Sequence, residues 1–196
     1  MDLIHPDARI HLSAEIGPCV VIGPRVVIHE DVVISPFVSI GSQAEIRDQL
    51  RNPPGRCEIQ AGTVIREHST VNGGSDGRVT IIGRNVLLLN GTYVAHDCIL
   101  EDYVTLCGHA SLGGEVRVMI GANLGIGVMV HQFCTIGAYA MLGMGTIVTK
   151  KTKIEPGITY VGAPARPIGR NDKGLENVAE SYLQLQRERY ERLTTC

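Results

Sequence analysis

The chain has 196 residues, a formal net charge of −2 and a mean hydropathy of +0.10. Hydrophobic residues make up 44%, with no Trp, 2 Phe and 23 Gly, so one domain of short strands and turns is favoured over a helical bundle. No run of like charges suits nucleic acid or an anionic membrane, and no apolar stretch reaches the roughly 20 residues of a membrane span.

The opening Met1-Asp2-Leu3-Ile4-His5-Pro6 lacks the basic and apolar regions of a secretory signal. The six cysteines include no C-x-x-C pair, which points to a reduced, cytoplasmic setting, with Cys98 and Cys134 as packing thiols. From Ile4 every sixth residue is isoleucine: Ile10, Ile16, Ile22, Ile28, Ile34, Ile40 and Ile46. The residue two places earlier is small or apolar, as at Ala14, Val20, Val26, Val32 and Val38. Two inward residues separated by one outward residue obey the alternation of a strand. Glycine often follows the sixth position, as at Gly17, Gly23 and Gly41, where a flat face turns into the next. Three such faces make a coil of about 18 residues, and stacked coils pair as parallel strands about 4.8 Å apart.

Residues 47–58 interrupt the period at Pro53-Pro54, and proline cannot donate to a strand ladder. Ile59, Ile65 and Val71 resume it briefly. Residues 72–80, with Gly73-Gly74 and Asp76-Gly77, form a second excursion. From Ile82 the period runs unbroken to Tyr160 through Leu88, Val94, Leu100, Leu106, Leu112, Val118, Leu124, Val130, Ile136, Leu142, Val148 and Ile154. The β-helical domain is placed at 1–168 and a helical tail at 169–196. In the tail Leu175, Val178, Tyr182 and Leu185 recur at three and four, which predicts one amphipathic helix of about 18 residues capping the open end of the coil.

A constant coil length allows outward residues to be stacked by arithmetic. His96 lies two past Val94 and points out; one coil on is Gly114 and two coils on is Gln132. Asp97 stacks with Glu115 and Phe133 in the same way, and His131 adjoins Gln132. These residues converge on one patch with the parts of an acyl transfer. A neutral imidazole at His96 takes a proton, Asp97 fixes its tautomer, and the Gly114 N–H donates to a developing oxyanion. Neighbours along a strand point apart, so a contact between Asp97 and His96 requires the corner to bend.

The period resembles that of hexapeptide-repeat, left-handed parallel β-helix proteins, and the left hand is an expectation from that resemblance. Asn90-Gly91-Thr92-Tyr93-Val94-Ala95-His96-Asp97-Cys98 resembles the A-H-D-C segment of the acyl-carrier-protein-dependent UDP-N-acetylglucosamine O-acyltransferase family of lipid A synthesis. Met129-Val130-His131-Gln132-Phe133-Cys134-Thr135-Ile136-Gly137-Ala138 resembles its V-H-Q-F-C-x-I-G-A segment, and Ile65-Arg66-Glu67 its I-R-E. The resemblance covers roughly residues 1–177. It implies a homotrimer with active sites between neighbouring subunits and an acyl group delivered by acyl carrier protein. It also implies His96 as general base, Gly114 as oxyanion donor, and substrate contacts at His131 and Gln132.

Several positions depart from the family. Tyr93 stands where another His is usual, Gly114-Glu115 replaces G-H, and Val71-Asn72-Gly73-Gly74 replaces I-H-R-G. The family's late Arg pair, which serves the nucleotide diphosphate, falls on Asn177-Val178, and its D-x-K sugar contacts map onto Asp48 and Arg51. The family's long C-terminal helical domain is missing. Substrate binding is therefore assigned to Tyr93, Asn72, Glu115, Asp48 and Arg51 alongside His131 and Gln132.

Gly162-Ala163-Pro164-Ala165-Arg166-Pro167-Ile168 resembles the exit sequence of hexapeptide acetyltransferases, near coenzyme A. Gly162 and Arg166 are thus candidate coenzyme A contacts. Met144 falls where the family often has Gly at the end of its acyl groove, which suits a shorter acyl group. No bound cofactor is expected, only acyl-carrier-protein or acyl-coenzyme A as co-substrate. The alternatives are an acetyl-coenzyme A-dependent sugar or small-molecule acetyltransferase, a γ-class carbonic anhydrase-like zinc enzyme using His96, His109 and His131, and a non-catalytic assembly β-helix.

Overall fold

The computed structural model describes residues 3–195, and they fold as the period dictates. Two-residue strands separated by four-residue corners build three parallel sheets, which wind into a left-handed β-helix. The first face includes Arg9–Ile10, Val26–Ile28, Arg56–Ile59, Val79–Ile82, Ile99–Leu100 and Arg117–Val118. The second includes Glu15–Ile16, Leu87–Leu88, Asn123–Leu124 and Met141–Leu142; the third includes Ser39–Ser42, Thr70–Asn72, Tyr93–Val94, Ser111–Leu112 and Met129–Val130. Pairing keeps the eighteen-residue offset, with Ile82 opposite Leu100, Leu100 opposite Val118 and Val118 opposite Ile136.

Like therefore stacks on like inside the prism. Ile22, Ile28, Ile34, Ile40, Ile59, Ile65 and Ile82 are fully buried, each worth roughly 1.5–3 kcal/mol of burial. Cys98 and Cys134 are buried in the same core. Most corners use a left-handed residue, and several are not glycine: Arg25, Asp97, Glu115 and Phe133 have φ of 57°, 61°, 58° and 64°.

Three features differ from the sequence reading. The chain leaves the coil after Ser42, earlier than residue 47, so Ile46 lies outside the core and precedes a 3₁₀ turn at Arg47–Gln49. Ile59 instead stacks on Ile28, because Cys57 and Ile59 supply the two inward positions of strand Arg56–Ile59. The second excursion is shorter than 72–80: Asn72 ends one strand and Val79 begins the next.

The tail differs most. It forms a short helix α1, Asp172–Leu175, and a helix α2, Glu180–Thr194, and α2 lies along the flank and does not cover the open end. Tyr190 packs on Met119 and Ala138, Leu183 is fully buried near Gly157, and Arg189 makes a two-pronged ion pair with Glu101. The face of α2 that packs on the prism is Leu183, Gln186 and Tyr190, whereas Tyr182 and Leu185 of the expected stripe are exposed. The end of the core is filled by Tyr160 and Ala165, where strand Ile158–Val161 pairs antiparallel with Arg166–Arg170.

Candidate active site

His96 and Asp97 occupy the two turn positions of the corner between the third and first faces. The positive φ of Asp97 bends its side chain back, so His96 Nδ1 lies 2.9 Å from Asp97 Oδ2. The same carboxylate accepts the Ser75 N–H at 2.9 Å on Oδ1 and the Ser75 hydroxyl at 2.5 Å on Oδ2. Its own N–H donates to Thr80 Oγ1 at 2.9 Å. The Asp97 side chain is 4% exposed and that of His96 13%.

Burial opposes the charge on Asp97, but hydrogen bonds from the Ser75 hydroxyl, His96 and the Ser75 N–H outweigh it and hold the carboxyl below its ordinary range. An ionised carboxylate only accepts, so His96 Nδ1 carries the proton and Nε2 presents a lone pair. The ring lies over Gly114: a Cβ built there would stand 2.5 Å from Nε2 and from Cε1. Among the described residues the Gly114 N–H has no hydrogen-bond partner, whereas the next N–H, of Glu115, donates to the His96 carbonyl at 3.0 Å. A base and a free donor therefore share one small space.

Glu115 is tied by Arg78 at 2.9 Å, and the same guanidinium lies 3.9 Å from Asp97. Ser75, Arg78 and Thr80 were not singled out from the sequence. They lie in or beside the second excursion, where coil arithmetic has no register, and nothing in Gly-Gly-Ser-Asp-Gly marks an aspartate partner.

Tyr93, three residues before His96, points outward on the third face. Its hydroxyl accepts from Asn72 Nδ2 at 2.9 Å, and Asn72 Oδ1 accepts from Ser42 at 2.8 Å. Burial, with Glu45 nearby, pushes the phenol up to about 12, so it stays neutral and serves as a hydrogen-bonding group. Gln132 lies in the column above Gly114, and both it and His131 are exposed; His131 Nδ1 sits 3.0 Å from the Gln132 carbonyl.

The remaining candidates are not gathered around His96 within one chain. Asp48 and Arg51 are exposed in the first loop. Met144, 75% exposed, is on the corner between the second and third faces, between two and three coils further along, or roughly 13 Å at 4.8 Å per coil. Gly162 and Arg166 flank the terminal hairpin. His109 packs over Gly91 on the corner away from His96. Among the described residues no group of three or more His, Cys, Asp or Glu could hold a metal ion.

Comparison with known proteins agrees with the fold. The acyl-[acyl-carrier-protein]–UDP-N-acetylglucosamine O-acyltransferase of Thiobacillus denitrificans is 38% identical over 142 residues, which are 71% of this chain and 54% of that protein. A crystal structure of a UDP-N-acetylglucosamine acyltransferase superposes with a TM-score of 0.80 at 25% identity, over 98% of this chain and 82% of that one. The UDP-N-acetylglucosamine acyltransferase of Francisella novicida does so with a TM-score of 0.75 at 25% identity, over 96% and 78%. Over that stretch this chain is similar to hexapeptide-repeat acyltransferases. No family model matches it. The chain spans about half the length of the curated relatives it matches. Among the described residues, no helix is long and apolar enough to cross a membrane.

Proposed function

We propose that this protein transfers an acyl group from acyl carrier protein to a hydroxyl or amine of a nucleotide sugar, UDP-N-acetylglucosamine in the first instance. The observation that carries the reading is the His96–Asp97 pair seated over the unpartnered Gly114 N–H. His96 Nε2 takes the proton of the acceptor as its oxygen or nitrogen attacks the thioester carbonyl. The tetrahedral oxyanion accepts from the Gly114 N–H. As the C–S bond breaks, the imidazolium returns its proton to the departing thiolate, so charge and protons balance. Asp97 stabilises the imidazolium between those two events.

Tyr93, Asn72, Glu115, His131 and Gln132 are the acceptor's contacts in this scheme, with Asp48 and Arg51 supplied by the first loop of a homotrimer whose sites lie between subunits. An outward-facing base needs such a second wall to exclude water. A cytoplasmic setting follows from the donor. A second reading, with coenzyme A as donor, is favoured by the terminal hairpin, which leaves Arg166 exposed beside Gly162; Met144 suits a short acyl group there.

The test offers acetyl-coenzyme A, longer acyl-coenzymes A and hydroxyacyl carrier protein against UDP-N-acetylglucosamine and a sugar panel. Transfer by wild type that falls by roughly 10²–10⁴ in His96→Ala supports the reading and names its donor. Absence of transfer from every donor, or equal rates in the variant, overturns it.

A further inference from the structure

We infer that the corner below the catalytic pair carries a separate binding site for a phosphate or diphosphate group, built by Arg9, Arg25 and Arg56. A groove of about 580 Å³ runs along the first face, and these three exposed arginines are among its lining residues. Strand register explains why they meet. Val26 lies opposite Cys57, so the preceding residues Arg25 and Arg56 stand one strand spacing apart, and Arg9 lies opposite Val27 in the coil beneath. The Cys57 N–H donates to the Arg25 carbonyl, which fixes the two arginines side by side.

Like charges directly opposite on neighbouring strands repel, and among the described residues no carboxylate pairs with these three. Arg66, Arg78, Arg117, Arg170, Arg187 and Arg189 all have carboxylate partners. Among the described residues Arg9, Arg25 and Arg56 have none within 4.0 Å. The nearest acid in the groove, Asp7, leans toward His5 at 3.7 Å. Three planar forks around a small open volume match the several oxygens of a phosphate, which accepts paired N–H bonds from each guanidinium.

The position connects this groove to the reaction. Arg56 lies opposite Val79, and Val79 falls opposite Asp97 in the same register. Arg56 and Arg25 are therefore two and three coils below Asp97, roughly 10 and 14 Å at 4.8 Å per coil. Arg25 also lines the neighbouring cavity whose far wall contains Ser75, the residue that holds Asp97. A phosphate-bearing substrate anchored at the arginines points along the edge toward His96.

Calorimetric titration of the full chain with inorganic pyrophosphate tests the site without turnover, so its failure is seen separately from failure of the acyl-transfer reading. Wild type is expected to bind, Arg25→Ala/Arg56→Ala to bind at least roughly 10-fold more weakly, and Arg25→Lys/Arg56→Lys to fall between. The unliganded alanine pair should melt no lower than wild type, because a repulsion has been removed. Absence of pyrophosphate binding by wild type, or unchanged affinity in the alanine pair, overturns the site. Only the source of the phosphate rests on acyl transfer. Displacement by UDP assigns it to the acceptor and displacement by coenzyme A to the donor; displacement by neither overturns a substrate role.

Discussion

At Gly114 one added carbon reaches the His96 ring. Alanine there would put its Cβ 2.5 Å from the His96 ring, and the ring swings toward solvent to escape. Gly114→Ala should lower kcat by roughly 10²-fold, the loss expected when base and donor are both misplaced, with a melting point close to wild type. Unchanged turnover would remove Gly114 from the mechanism. Ser75→Ala strips Asp97 of its hydroxyl partner and raises its pKa toward the ordinary value. Because the folded pKa is depressed, ionised Asp97 contributes stability above the ordinary range near 4 that is lost as pH falls through the lower folded value. The variant should therefore lose less stability than wild type on acidification through that window, as followed by melting at stepped pH. The stacking of Gly114 with His96 was legible in the sequence because no insertion falls between residues 82 and 154. The Asp97 contact was legible only on condition that the corner bends, which the positive φ of Asp97 supplies; Ser75 was not, since its loop has no period.

At the scale of elements, buried thiols and the flanking helix show how neighbours set behaviour. Burial pushes Cys57 and Cys98 up to about 12, so neither is a thiolate near neutrality. Brief alkylation of the native protein should modify exposed Cys19 and spare both; labelling of Cys98 before unfolding would contradict its place in the core. That the tail holds a helix was readable, but neither its packed face, Leu183, Gln186 and Tyr190 in place of Tyr182 and Leu185, nor its partner was. Met119 and Ala138 are outward corner residues, and a repeat that assigns only inward positions does not reveal an apolar seam on the outside. Leu183→Ala removes a fully buried anchor and should weaken docking of α2 by roughly 2–5 kcal/mol. Hydrogen exchange would show faster amides in Glu180–Thr194 with protection unchanged in the coils; uniform loss would mean that the tail and prism unfold together. The loop boundaries were misjudged for a related reason: Ile46 keeps the period in sequence after the chain has left the core.

The whole molecule behaves as a stack in which each coil touches its neighbours, and interior substitutions act locally. Insertions in the exposed first loop, between Gln43 and Asn52, should shift the melting point little. Deleting the single residue Thr105 exchanges inward and outward positions for the rest of its strand. That protein should fail to give a cooperative melt, and a native-like transition would refute strict register control.

The His96–Asp97 pair comes from adjacent residues, while the Gly114 beneath its ring comes from the next coil. In terms of inheritance, the chemistry is written across one seam between two lines of text. Duplicating a whole line below residue 72 or above residue 150 lengthens the page and leaves that sentence readable. A line inserted between Cys98 and Gly113 gives the imidazole a new neighbour, so the seam is where lineages of this prism are least free to grow.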